Sequence, residues 1–209
     1  MMNDRPTIET AELGHTFLDS ELKDHCKVIV GGIAWPGNQP GFGVVLALDA
    51  QKYYEGGHII LLDEVESCNL GELIRKCKAL NLEYRPKFWS GDNKNAAAGK
   101  FMLDNHDNTR FWVSHSSVLD MEQPYSFMLP TLKDLLRDDN RRLFLKSSII
   151  AGHLGTIKDE DVASLQVGDH PAIEALASAV CELKNDSLWW PKPPPRQGDT
   201  PGHLRPMGF

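Results

Sequence analysis

The stretch Cys26-Lys-Val-Ile-Val-Gly-Gly-Ile-Ala-Trp35 decides how the rest of the chain is interpreted. Its apolar run, rich in β-branched residues, is typical of a buried strand. Dense turn-forming sequence follows at residues 36–41, and a second apolar run occupies residues 42–48. The two runs therefore predict a β-hairpin at the start of a folded core.

The sequence after this hairpin predicts a third strand, a helix and a fourth strand. Residues 58–63 form an apolar run behind a Gly-Gly turn, and residues 86–90 form another. Between them, Asn69 and Glu72 have the spacing of a capping box, and apolar residues follow at helical intervals. This order indicates an α/β sheet that begins antiparallel and gains a crossover strand.

The second half of the chain gives weaker patterns. Small polar residues at 93–100 predict a mobile loop, and residues 110–114 predict another strand. A capping-box spacing predicts a helix over residues 131–142, whereas residues 143–150 fit a strand or a helix equally. A last helix is predicted from Pro171 to residue 184, because proline suits the first helical position.

Composition divides the chain into three parts. Residues 1–25 are polar and predict an N-terminal arm, and residues 26–186 contain the folded domain. Residues 187–209 hold six of the 13 prolines and two tryptophans, which predicts an extended or disordered tail.

Composition also limits the class of protein. Of the 209 residues, 41% are hydrophobic and 24% charged, which is ordinary for one globular domain. Four scattered cysteines without a CxxC pair predict buried thiols rather than a zinc site. The net charge of −7 argues against a protein that coats nucleic acid, but permits local DNA binding. No apolar run reaches the roughly 20 residues of a membrane span, so we expect a cytoplasmic protein without membrane contact.

Several motifs that would define an enzyme class are absent from the sequence. Gly99-Lys100 is followed by Phe101 and lacks the earlier glycine of a P-loop. Gly31-Gly32 is too short for a dinucleotide fingerprint, and neither a nucleophile elbow nor an HExxH motif occurs. The sequence therefore disfavours an ATPase, a dehydrogenase and these hydrolase classes.

One candidate carboxylate follows the fourth predicted strand, in Trp89-Ser-Gly-Asp92. Loops at the carboxyl ends of strands build the sites of α/β proteins, so Asp92 is a candidate ligand or catalytic group. Gly-Asp-Asn is also common turn chemistry, and the alternative is that Asp92 only caps a turn.

A second candidate group begins the last helix, at Asp169, His170 and Glu174. Glu174 is placed at the margin of the apolar helix face, where a carboxylate is poorly solvated and needs a cation or a hydrogen-bond donor. His170, one turn earlier, is placed on the same side. The alternative is a surface glutamate with Asp169 as the helix cap.

Three segments together resemble the nuclease domain of phage large terminases, which has a ribonuclease H-like fold. They are Val-Ile-Val-Gly-Gly-Ile-Ala-Trp-Pro-Gly at 28–37, Phe-Trp-Ser-Gly-Asp at 88–92 and Gly-Asp-His-Pro-Ala-Ile-Glu-Ala-Leu at 168–176. The resemblance covers roughly residues 26–185 and implies a mixed β-sheet flanked by helices. It also implies three acids, one on the first strand, one after the fourth strand and one on the last helix. Together these acids bind two Mg²⁺ or Mn²⁺ ions, and the site cleaves double-stranded DNA. Asp92 and Glu174 then correspond to the second and third acids, with Asp169 as a metal ligand and His170 as a catalytic group beside them.

The sequence departs from this family at one position. The first-strand aspartate should fall at or beside Ala34, and residues 27–48 contain no carboxylate. Either the ligand is lost, or the residue was changed, or the alignment is shifted. Asp63, Glu64 or Glu66 are possible substitutes. With Ala34 in place, we expect weak metal binding through Asp92 and Glu174 and little or no cleavage.

The resemblance implies a DNA-packaging nuclease, encoded by a phage or prophage and acting in the bacterial cytoplasm. Lys94, Lys100 and Arg110 follow Asp92 and are predicted to contact DNA phosphates. The missing P-loop implies either a packaging ATPase on a separate chain or a longer protein of which this sequence is a piece, with a portal as a further partner. The alternatives are a non-catalytic ribonuclease H-like module that binds DNA or a packaging partner, and another nuclease or resolvase of the same fold.

Overall fold

A computed structural model describes residues 26–49, 58–104, 111–137, 143–145 and 149–185. The predicted N-terminal arm at 1–25 and the predicted tail at 187–209 lie outside the described residues.

Six strands form one mixed sheet. Its order is β5-β4-β1-β2-β3-β6, in which β1, β2 and β3 pair antiparallel, β4 and β5 run parallel to β1, and β6 runs parallel to β3. The predicted hairpin, crossover strand and mixed sheet are confirmed. The strands are β1 (Cys26–Ala34), β2 (Gly41–Asp49), β3 (His58–Ser67), β4 (Trp89–Gly91), β5 (Val113–His115) and β6 (Leu143–Phe144).

Five α-helices and two short 3-10 helices accompany the sheet in the described part of the chain. The predicted cap of the first helix is confirmed, because the Glu72 amide donates to Asn69 Oδ1 at 3.0 Å. The α-helices are α1 (Leu70–Tyr84), α2 (Ala96–Asp104), α3 (Pro124–Arg137), α4 (Ile149–Thr156) and α5 (Pro171–Asn185), and the 3-10 helices are Ser117–Asp120 and Val162–Ser164.

The two faces of the sheet carry separate cores, because successive side chains of a strand point to opposite faces. On one face, Ile33 and Trp89 pack with the apolar side of α1. On the other, Val30 and Ala34 belong to a larger core with α3, α4 and α5. Residues 171–181 of α5 are all buried, so α5 is a central element rather than a surface helix.

Two adjacent glycines allow α5 and Trp89 to approach β1 closely. A Cβ atom added to Gly32 would lie 1.9 Å from the carbonyl oxygen of Ala175, and one added to Gly31 would lie 2.2 Å from the Trp89 ring. Any larger residue would push the layers apart. The Gly-Gly pair therefore fixes how near α5 lies to the central strand.

Several predictions about local structure were wrong. The helix predicted to open at Thr131 begins at Pro124, with Pro130 inside it and Thr131 buried. An internal proline usually ends a helix, which hid the first two turns from the sequence patterns. The predicted loop at 93–100 contains the start of α2, where Asn95 Oδ1 accepts the Ala98 amide at 3.0 Å.

The region left open at 143–150 contains both elements, because β6 ends at Phe144 and α4 begins at Ile149. The expected strand at 110–114 is β5, and the last helix is confirmed with an end one residue later than predicted. Cys77 and Cys181 are buried as predicted, whereas Cys68 is exposed. Of the helices described, none has both the length and the apolarity that a bilayer span requires.

Candidate functional site

The carboxyl ends of β1 and β4 bring residue 34 beside Asp92. The parallel register pairs Gly32 with Ser90 and Ile33 with Gly91, so Ala34 and Asp92 are the next positions along. The Trp35 indole Nε1 donates to the backbone carbonyl of Asp92 and ties the two strand ends together. The structure therefore brings residue 34 and Asp92 together at one edge of the sheet.

Ala34 supplies no polar atom to this edge of the sheet. It is 4% exposed, and its methyl group packs in the core that contains α5. A longer side chain here would start on the face of the sheet that α5 covers, close to Asp92.

The position of Asp92 is compatible with both roles considered for it, that of a turn cap and that of a ligand or catalytic group. Its Oδ1 accepts the Lys94 amide at 2.9 Å, which is the turn-capping role. Its side chain is nevertheless 33% exposed, and Oδ1 lies 3.8 Å from Nδ1 of His115. The carboxylate thus faces a second polar side chain at the end of the neighbouring strand.

A polar cluster, comprising Asp92, Lys94, His115 and Asp120, surrounds that position. His115 Nε2 lies 2.9 Å from Asp120 Oδ2, and Lys94 Nζ lies 2.8 Å from both oxygens of Asp120. The hydrogen bond from Lys94, with that from His115, holds the pKa of Asp120 below its ordinary value. The sequence interpretation missed His115 and Asp120. The place of His115 directly after the predicted strand was the one available signal.

Glu174 is in a different setting, at the first turn of α5. It is 3% exposed, and its Oε1 accepts the Tyr125 hydroxyl and the Gly168 amide, each at 2.6 Å. The Tyr125 hydroxyl in turn accepts the His170 amide at 2.8 Å. The alternative of a surface glutamate is wrong. The predicted need for a donor is met by the protein's own hydroxyl and amide groups.

Burial dominates the electrostatics of this carboxylate cage, which consists of Glu174, Tyr125, Gly168 and the His170 amide. Desolvation raises the pKa of Glu174, while the hydrogen bonds from Tyr125, Gly168 and His170 oppose that rise. Desolvation also raises the pKa of Tyr125, and the neighbouring Glu174 raises it further. Tyr125 therefore stays a protonated donor. No sequence pattern marked it, because it lies 49 residues from Glu174 in the chain.

Asp169 and His170 complete the turn before α5. Asp169 Oδ2 accepts the Gln166 amide at 2.7 Å, so its carboxylate holds this turn rather than capping an amide of α5. The His170 ring is half-buried, 6.2 Å from the ring of His153. Desolvation, with His153 next in size, lowers the pKa of His170, which favours a neutral imidazole at pH 7.

The residues present do not fit a two-ion site. Among the residues that the structure describes, no three His, Cys, Asp or Glu side chains are grouped to hold a metal ion. Asp63, Glu64 and Glu66 are on β3, which β1 and β2 separate from β4, about 14 Å away at the usual strand spacing. The sheet order thus sets these three acids apart from Asp92.

The predicted DNA-contacting lysines are both on the surface. Lys94 is exposed and bonded to Asp120, and Lys100 is exposed on α2. Arg110 lies outside the described residues.

Solved structures share this arrangement of strands and helices. The nuclease domain of the g2p large terminase of bacteriophage SPP1, solved with bound Mn, aligns over 83% of this chain and 94% of its own, with a TM-score of 0.53 and 14% identity. The chain has the fold of a terminase nuclease domain. The large terminase of a thermophilic bacteriophage aligns over 85% of this chain with a TM-score of 0.58 and 11% identity, and its complex with ADP over 89% with a TM-score of 0.52 and 10% identity.

The chain spans less than half of the thermophilic phage's large terminase, 44% and 43% in these two structures. No protein-family model matches the sequence, and no curated protein matches it. The resemblance found in the sequence is confirmed for the fold. At these identities the likeness extends to the terminase nuclease fold alone.

Proposed function

We propose that this chain is a terminase-type DNA-packaging nuclease domain with an incomplete metal site, which binds double-stranded DNA but cleaves it little or not at all. The observation that carries this proposal is Ala34 beside Asp92 at the carboxyl ends of β1 and β4. In an α/β protein this edge of the sheet is where functional groups collect.

The missing oxygen at residue 34 matters more than a missing peripheral ligand. When bound, two divalent ions about 4 Å apart generate the nucleophile and stabilise the leaving oxygen of a phosphodiester. Mg²⁺ needs oxygen ligands in near-octahedral geometry, and alanine offers none.

The surroundings of Glu174 also support an incomplete metal site. Its Oε1 already accepts two hydrogen bonds, and its side chain is almost fully buried. Ligation of an ion through Oε1 would compete with the Tyr125 and Gly168 donors. We therefore propose Asp92 as the main metal position of this chain, with only a weak contribution from Glu174.

The partners follow from the same proposal. We propose double-stranded DNA as the ligand, with phosphate contacts from Lys94, Lys100 and Arg110 and a salt-dependent affinity. The large terminase of the thermophilic phage is solved in complex with ADP, and this chain spans 43% of it. A P-loop ATPase, on a separate chain or in the rest of a longer protein, would supply the motor, with a portal, in the cytoplasm of a bacterial host.

The test is plasmid cleavage by the parent chain, Ala34→Asp and Ala34→Asn in the presence of Mn²⁺. The Asp and Asn variants differ in charge but hardly in shape, and thermal melts would verify that both fold. We expect cleavage by Ala34→Asp alone, abolished again by adding Asp92→Asn. Strong cleavage by the parent would contradict the lost-ligand account.

A non-catalytic module is the second candidate, favoured by the protein-satisfied Glu174 carboxylate. It predicts that no variant at residue 34 cuts DNA. It also predicts that duplex DNA or a packaging partner binds equally with and without divalent ions. Fluorescence anisotropy of a labelled duplex in chelator and in Mn²⁺ separates this candidate from the first.

A further inference from the structure

One ring nitrogen of His115, Nδ1, makes no hydrogen bond to the part of the chain that the structure describes. This atom is shielded from solvent, although the ring stands at the end of β5 next to Asp92. A buried nitrogen without a partner costs free energy unless something binds it. The side chain as a whole is 19% exposed, so the position is shallow rather than sealed.

Asp120 orients this imidazole. The contact of 2.9 Å between His115 Nε2 and Asp120 Oδ2 favours the ring hydrogen at Nε2. In that tautomer the lone pair lies at Nδ1, which faces Asp92 Oδ1 across 3.8 Å. Histidines that bind metals typically donate their other ring N–H to a carboxylate in this way, which fixes both the tautomer and the ring orientation.

We propose that His115 Nδ1 and the Asp92 carboxylate together hold one divalent ion of the borderline class, Mn²⁺ or Co²⁺ ahead of Mg²⁺. An imidazole nitrogen suits these ions better than Mg²⁺, which prefers oxygen. This inference rests on the proposed function only in taking Asp92 as the metal position. It gives that position a second protein ligand, which the three-acid pattern does not contain.

The separation of His115 Nδ1 and Asp92 Oδ1 is close to that of two ligands of one ion. Two neighbouring ligands of one octahedral ion are about 3 Å apart, so a shift of less than about 1 Å brings Nδ1 and Oδ1 to that separation. The Lys94 amide uses one lone pair of Asp92, and a carboxylate has about four. Water completes the coordination, as is usual for ions held by one or two side chains.

The surrounding charges are compatible with a cation. Lys94 Nζ is directed to Asp120 and bonded to both of its oxygens, so that pair is neutral. Asp92 Oδ1 and His115 Nδ1 therefore remain the two atoms that face the ion. With two protein ligands we expect weak binding that depends on both of them.

The experiment is a titration of the full chain with Mn²⁺, in which electron paramagnetic resonance reports the unbound ion. We expect His115→Gln to lower the Mn²⁺ affinity at least tenfold and Asp120→Ala about tenfold, because the latter removes the acceptor that orients the ring. His153→Gln is the matched control and should leave the affinity unchanged. The parent should prefer Mn²⁺ to Mg²⁺, and His115→Gln should lose that preference.

A second measurement follows the histidine ring resonances while Mn²⁺ is added to the parent chain. Among the ring resonances of the eight histidines, Mn²⁺ should broaden one set first, and His115→Gln should identify that set as its own. If His115→Gln binds Mn²⁺ like the parent while Asp92→Asn loses it, the inference fails and the assignment of Asp92 stands. If the parent binds no Mn²⁺, the inference fails. If Asp92→Asn also binds like the parent, the metal position in the proposed function fails as well.

Discussion

The polar cluster at the ends of β4 and β5 and the carboxylate cage at the start of α5 hold the two acids that the sequence singled out. Asp92 in the cluster is one-third exposed and faces a histidine nitrogen without a partner. Glu174 in the cage is 3% exposed and bonded to Tyr125 and Gly168. A carboxylate that the protein itself satisfies serves the fold, whereas one that faces an unmet ligand remains available for binding.

Loss of the cage carboxylate should give the largest change in stability. We expect Glu174→Ala to lower the free energy of unfolding by about 3 to 4 kcal/mol, because it leaves buried donors without an acceptor and opens a cavity. Asp92→Ala should cost less than about 1 kcal/mol, since Asp92 is partly solvated. Urea unfolding of both variants measures the contrast.

Glu174→Gln is the matched control, because its carbonyl oxygen can still accept from Tyr125 and Gly168. It should recover most of the stability that Glu174→Ala loses. Equal losses in Asp92→Ala and Glu174→Ala would remove the distinction between cluster and cage.

Glu64 extends the comparison to a half-buried carboxylate with too few hydrogen-bond donors. Its Oε1 accepts the Ile149 amide at 3.0 Å, but its Oε2 has no partner. Burial raises its pKa from an ordinary 4.5 to about 7, against the Ile149 hydrogen bond and with smaller contributions from Asp63 and Glu66.

Because this pKa is raised, the stability linked to Glu64 is fully present below pH 4.5 and is lost as the pH rises through about 7. We expect a loss of about 1 to 2 kcal/mol over that window after allowance for partial solvent screening. Glu64→Gln should flatten the dependence, as unfolding at several pH values would reveal. A slope unchanged by Glu64→Gln would contradict the assignment.

The two surface lysines should differ slightly in DNA binding. Lys100→Gln should reduce the slope of log affinity against log salt by about 1, as expected for one lost phosphate contact. Lys94→Gln should reduce it by less, because Asp120 competes with DNA for that ammonium group. Anisotropy of a labelled duplex across salt concentrations measures both slopes, and a larger effect of Lys94→Gln would reverse this ranking.

Local patterns sufficed for the elements that position the site. The apolar runs of β1 and β2 and the N-cap at Asn69 depend on neighbouring residues, and all three are confirmed. The reciprocal half of the capping box is not formed, because the Asn69 amide donates to Ser67 Oγ rather than to Glu72. The start of α3 was missed because Pro130 within the helix is typical of a helix end. Sequence reasoning thus predicted the central sheet but missed the first turns of α3, which carry Tyr125.

The same reasoning could predict only part of the candidate site. Asp92 could be placed because it directly follows a strand. The partners that decide the state of each acid are distant in the chain, Tyr125 for Glu174 and His115 for Asp92. Their contacts arise from the packing of α3, β5 and α5, which no periodicity or spacing encodes.

Calorimetric titration of Mn²⁺ into the parent chain, Ala34→Asp and Ala34→Asn tests the central claim most directly. An incomplete site beside Asp92 predicts at least tenfold tighter Mn²⁺ binding by Ala34→Asp, and parent-like binding by Ala34→Asn. Identical binding by all three, or tight binding of two ions by the parent, would contradict the account.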